Sequence, residues 1–230
     1  MRYIRKGNEP QIISNYRMLR QNAMQVVSYP DFNQAEDLND ILRVEQRNIC
    51  CYCLQSINHF QKPNEAGSHN EHLIPQQGAN GNALLQMDYN NIYACCNYTK
   101  DFPNEDSYCG EHKADSLITN FIQQQDCRTF FKYNSTGEIL PNGNYETEDE
   151  FNLHENILPQ NQKNALKTIK VLNLNQAVLK KRRVDLINQI IPLISNISTQ
   201  QAQAKIQRMT NSNPLPPFVE LNIYYLNQVR

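Results

Sequence analysis

Between Asn48 and Asp115 the chain crowds six of its seven cysteines and four of its five histidines, far more than a hydrophobic core needs. Cys50-Cys51-Tyr52-Cys53 forms a Cys-x-x-Cys knuckle, and Cys95, Cys96 and Cys109 follow downstream. Tetrahedral zinc favours two thiolates from one tight turn and two more from elsewhere. Cys50 and Cys53 are therefore read as half of a structural zinc site, and Cys96 and Cys109 as the other half, with Cys95 as the alternate. An odd, clustered set of thiols favours metal over a disulfide framework where thiols stay reduced. Buried, inert thiols are the plainer reading. A redox role fits less well, because no thioredoxin-like strand-and-helix setting surrounds the knuckle.

The rest of the composition narrows the setting. No apolar run approaches the roughly 18–20 residues that span a bilayer, and Met1 to Gly7 lacks the apolar core of a signal peptide. The expectation is a cytoplasmic protein with no membrane contact. A net charge of −1 gives no global basic field. Nucleic acid would have to be met through a local patch or a partner's surface.

Helical spacing of apolar residues predicts helices over 11–27 and 33–46, the second with Leu38, Ile41, Leu42 and Val44 inward. Further helices are expected over 114–124, 161–171 and 176–197, with Pro192 near the end of the last. Asn134-Ser135-Thr136-Gly137 between two apolar runs reads as a β-hairpin spanning 129–140. Lys180-Lys181-Arg182-Arg183 reads first as a solvated face and second as a phosphate-contacting patch. The tail from Phe218 to Leu226 is apolar enough to pack back or to meet a partner, and a Pro-containing linker over 211–217 precedes it.

Between the two cysteine pairs stands Glu71-His72-Leu73-Ile74-Pro75. Adjacent side chains on a strand point to opposite sides, but at a strand end one can hold a cation while the other reaches a water. Glu71 as metal ligand and His72 as general base would suit phosphodiester hydrolysis, the metal neutralising charge on the scissile phosphate. An imidazole with an ordinary pKa near 6.5 is close to ideal for that task at neutral pH.

These residues resemble the HNH endonuclease superfamily, whose site is a ββα-metal element. The matching pieces are Glu71 to Pro75, Asn91-Ile92 followed by Cys96, and Cys109 followed by Lys113-Ala114-Asp115. More narrowly, Met1 to Pro10, the knuckle and Asp88-Tyr89-Asn90-Asn91-Ile92 are similar to the PtuB-like HNH subunit of Septu-type antiphage systems, also found beside some retrons. The resemblance covers residues 1–10 and 48–125 best. It implies that His72 is the base, that Glu71 ligates Mg²⁺ or Mn²⁺, and that Asn91 ties down the loop that orients His72. It also implies a PtuA-like ATPase of the ABC/SMC type as partner, nucleic acid as substrate, and, where a retron is involved, its reverse transcriptase with its RNA and DNA. Superfamily members often carry His or Asn directly after the second cysteine, where this chain has Gly110. His112 is the favoured replacement ligand, with Asp115 and Asn97 as rivals. Lys113 and Lys100 are the cations expected to meet the phosphodiester. His59 and His69 are read as loop histidines, His69 with a phosphate contact open to it, and His154 receives no role.

The expected fold is α+β and mainly helical. An N-terminal helical segment (1–47), a zinc-stapled HNH core (48–125) and a hairpin with C-terminal helices (126–230) together carry one ββα-metal element. A zinc module without catalysis, docking a protein or nucleic acid, is the competing function.

Overall fold

The computed structural model describes residues 1–59, 67–97 and 106–229. Over these residues the chain is α+β and mainly helical, with two small antiparallel sheets. Helices α1 (Gln11–Asn22) and α2 (Ala35–Glu45) precede strands β1 (Ser68–His72) and β2 (Ile92–Cys96), and the single turn α3 (Gly110–Lys113) follows. Strands β3 (Phe131–Tyr133) and β4 (Ile139–Pro141) form a hairpin. Helices α4 (Glu148–Leu153), α5 (Gln160–Val171), α6 (Ala177–Ile194), α7 (Thr199–Asn211) and α8 (Val219–Leu226) complete the order. No described helix is long and apolar enough to cross a membrane.

Strand β1 runs antiparallel to β2 with Ser68 opposite Cys96, His69 opposite Cys95, Glu71 opposite Tyr93 and His72 opposite Ile92. Every residue of β2 is buried, as expected for a strand covered on both faces. Helix α2 covers it with Leu38 and Leu42, one turn apart and fully buried. Ile41 and Val44, expected inward, are exposed instead. Just past α2, the Gln46 side chain docks on β2, donating to Ala94 O and accepting from Ala94 N, both at 2.8 Å. Asn39 accepts from Ser68 Oγ at 2.7 Å and donates to Asn70 Oδ1 at 2.8 Å, which fixes β1 to the same helix.

The N-terminal segment is part of this core. Met1 and Ile4 are buried, and Ile4 N donates to Ile122 O at 2.7 Å. Lys6 pairs with Glu45 at 2.8 Å and lies 3.6 Å over the Tyr89 ring. One hydrophobic cluster runs from Met1 through the knuckle and β2 to Tyr225.

Two further expectations change. Helix α1 ends at Asn22 rather than Val27, because Met24 enters the left-handed region (φ 53°) and the chain closes back with Gln25 N donating to Arg20 O. Residues 114–124 are not a helix: Ala114 takes φ 44° and ends α3. The stretch is then strapped down by Thr119 N donating to Thr168 Oγ1 and by Ile122 O accepting from Ile4. Helices α4 and α7 have no counterpart among the expected helices, although each starts with a capping box, Thr147 with Glu150 and Ser198 with Gln201.

The hairpin forms where expected. Asn134 Oδ1 accepts from Thr136 N and Glu138 N, and Gly137 sits at φ +79°, where a Cβ would come within 2.4 Å of Lys180 O. The basic run divides accordingly. Arg183 is buried and donates to Gly137 O and Leu174 O, so it holds the hairpin against α6. The tail packs back: α8 buries Val219, Leu221, Ile223 and Leu226, and Phe218 N donates to Leu54 O beside the knuckle.

Candidate metal centre and the adjoining cleft

The knuckle, the end of β2 and the start of α3 bring their cysteines to one buried point. Cys50, Cys95, Cys96 and Cys109 present sulfurs that all lie within 4.8 Å of one another, a set that could hold a metal ion. The Sγ atoms of Cys50 and Cys95 are 3.8 Å apart, those of Cys50 and Cys109 3.9 Å, and those of Cys53 and Cys96 3.6 Å. Zinc–sulfur bonds of about 2.3 Å at tetrahedral angles put neighbouring sulfurs about 3.8 Å apart. The donor set therefore fits zinc in chemistry and in spacing. Cys95, the alternate in the sequence, takes the place expected for Cys53, which falls outside the mutually close four and stands against Cys96. Backbone and amide N–H groups point at the sulfurs, Tyr52 N at Cys50, Gly110 N at Cys95 and Gln55 Nε2 at Cys53, each at 3.4 Å. Burial pushes the Cys95 thiol up and Cys50 adds to it, but hydrogen bonding with Cys109, Cys51 and Cys96 outweighs them and brings it down to about 7. Burial and Cys50 push the Cys109 thiol well up. Thiols this close cannot all ionise without a cation among them.

Beside the thiol cluster opens a cleft of about 340 Å³, lined among others by Glu71, His72, Gln76, Lys113 and Asp115. His72, at the end of β1, is buried and meets Tyr29 edge-on at 4.7 Å. Its Nε2 lies 2.8 Å from Gln86 O. A carbonyl only accepts, so Nε2 carries the proton and Nδ1 keeps the lone pair, receiving the Gln76 amide at 2.9 Å. Burial holds the imidazole pKa below its ordinary value, which keeps the ring neutral. The carbonyl that orients it is itself held. Asn91 donates to Ile74 O at 3.0 Å and to Leu85 O at 3.1 Å, and accepts from Ile74 N at 2.8 Å. Asn91 thus clamps the strand exit to the loop that carries Gln86, and touches the ring only through that loop.

Glu71 is buried among donors. Its Oε1 receives Tyr52 Oη at 3.2 Å and Lys113 Nζ at 3.0 Å; its Oε2 faces His69 Nε2 at 3.4 Å. Burial opposes ionisation, but His69 and Lys113 prevail and hold the carboxyl below the usual carboxylate range. Lys113 is 1 % exposed and also donates to His72 O at 2.9 Å, so it braces the site from within rather than reaching out of it.

No protein-family model and no curated protein matches the chain. The site therefore stands on its own geometry.

Among the described residues no hydrogen bond or ion pair joins His112 to Glu71; its Nδ1 is engaged by the end of α5, 2.9 Å from Val171 O. Asn97 is spent on the entry to β1, accepting from Gly67 N at 2.6 Å. Asp115 lines the cleft, exposed, and Lys100 lies outside the described residues. His154 stacks on Tyr145, away from the site. The residue the sequence undervalued is His69, read as a loop histidine. β1 begins at Ser68, so His69 and Glu71 are two apart on one strand and share a face. That alternation was the available signal.

Proposed function

We propose that the chain is a divalent-metal-dependent endonuclease of the HNH kind, hydrolysing nucleic-acid phosphodiesters as the effector of an antiphage complex with a PtuA-like ATPase. What supports this reading best is the state of His72. A neutral imidazole, its proton fixed on Nε2 by Gln86 O, turns its lone pair toward Gln76 at a cleft that Glu71 and Lys113 also line. A water standing where the Gln76 amide now stands would give its proton to Nδ1 as it attacks phosphorus. Glu71 would hold Mg²⁺ or Mn²⁺, which supplies charge neutralisation at the phosphate and the leaving oxygen. Lys113 and Tyr52 fix the carboxylate, and Asn91 fixes the loop behind the base. The antiparallel pair β1–β2 with the α3 turn would be the ββα-metal element, and the thiol cluster its structural zinc site.

A second reading keeps the zinc and discards the chemistry. It is favoured by Glu71, whose charge is already balanced inside the protein by Lys113 and His69. In that case the chain is a zinc module that docks a protein or nucleic acid.

The two part in a cleavage assay on plasmid DNA and tRNA, with Mg²⁺, Mn²⁺ or EDTA, with and without the ATPase. Cleavage that requires the divalent ion supports the nuclease and names its substrate. Its absence under every condition, with zinc bound, supports the docking module.

A further inference from the structure

The missing ligand after the second cysteine has a replacement in space. Gly110 lies directly against the acid: a Cβ built there would be 2.6 Å from Glu71 Oε2 and 2.7 Å from His69 Nε2. Any larger residue at position 110 would have to displace one of them, so the glycine makes room for His69. We infer that His69 Nε2 and Glu71 Oε2 are two adjacent ligands of a divalent cation and that His112 is not one; this rests on the nuclease reading for what the cation does, and goes beyond it in naming the nitrogen ligand.

Two donors bound to one first-row cation at about 2.1 Å stand about 3.0–3.4 Å apart, between octahedral and tetrahedral angles. The observed separation is 3.4 Å. The remaining atoms of both residues are placed for the same role. Glu71 Oε1 is occupied by Tyr52 and Lys113, which leaves Oε2 facing His69 alone. On the other side of the ring, His69 Nδ1 has no hydrogen-bond partner among the described residues, and the Glu111 carboxylate stands 3.8 Å from it through Oε1. A ligating histidine characteristically gives its second N–H to a carboxylate that fixes its tautomer. A small turn of the ring toward Glu111 would complete such a carboxylate–histidine–metal line. A mixed imidazole and carboxylate pair also favours Mn²⁺ and its neighbours over Mg²⁺, which prefers oxygen donors and water.

The test is Mn²⁺ binding to the zinc-loaded chain, read by the EPR signal of free Mn²⁺ and by spin-echo modulation from a directly bound nitrogen. The wild type should bind Mn²⁺ with nitrogen modulation. His69→Ala and Gly110→Ala should weaken binding by about 100-fold and erase the modulation, with zinc content and circular dichroism unchanged. Glu111→Gln should weaken it by about tenfold, and His112→Ala should behave as wild type. A wild type that binds no Mn²⁺, modulation that survives in His69→Ala, or modulation lost in His112→Ala would overturn the assignment. Nitrogen-coordinated Mn²⁺ that depends on His69 but supports no cleavage would uphold the ligand and remove the nuclease reading. Wild-type cleavage by His69→Ala would do the reverse.

Discussion

Burial of His72 has a consequence for the pH dependence of the proposed reaction. A general base works only when unprotonated, and burial lowers this imidazole below its ordinary 6.5. The rate should therefore be at its plateau at neutral pH and fall only as pH drops through a midpoint below 6.5. A midpoint at or above 6.5 in a rate–pH profile would contradict the buried, neutral ring. Lys113 gives a second test. Its ammonium, 1 % exposed, is the direct partner of a buried carboxylate. Lys113→Met would leave Glu71 charged and poorly compensated, at a cost of about 3–5 kcal/mol in urea unfolding; a change under 1 kcal/mol would mean that the pair is not buried as described. Roles for Glu71 and His72 could be proposed in the sequence from residue type and adjacency, and one for Asn91 only through the resemblance. A role for His69 could not be proposed from its type alone: its two-residue spacing from Glu71 matters only once β1 begins at Ser68, and its room depends on the absent side chain at Gly110.

Among elements, long helices with an apolar stripe were legible, and short ones were not. α5 and α6 appear within a few residues of the boundaries that spacing predicts. α4 is only six residues long, and α7 buries Ala202 alone among its residues, so neither offers a run of large buried apolar residues. Their capping boxes were the usable signal. Thr147→Ala and Ser198→Ala should each cost about 1 kcal/mol in thermal or urea unfolding, and no effect at Ser198 would show that α7 owes its start to packing. Residues 114–124 mislead for the opposite reason. Leu117, Ile118, Phe121 and Ile122 have helical spacing, but Phe121 and Ile122 are buried by an irregular path held by Thr168 and Ile4. Tertiary contacts override local pattern there.

At the scale of the molecule, the thiol cluster joins three stretches far apart in sequence: the knuckle after α2, the end of β2 and the start of α3. A bound zinc would therefore add folding free energy to the whole core, and chelation should lower the melting temperature of the entire protein. Differential scanning calorimetry with and without a strong chelator, beside zinc analysis, reads this directly; an unchanged melting point in zinc-free protein would show that the cysteines are inert. The cysteine count and knuckle made a metal centre foreseeable, but not which sulfurs meet, since Cys95 and Cys96 are consecutive and both reach the cluster. The account as a whole turns on one comparison: the rate of Mn²⁺-dependent nucleic-acid cleavage by wild type and by His72→Ala, both zinc-loaded and equally stable. Loss of a base predicts a fall of about 10²–10⁴-fold. Equal rates would remove His72 from the chemistry and contradict the proposed mechanism.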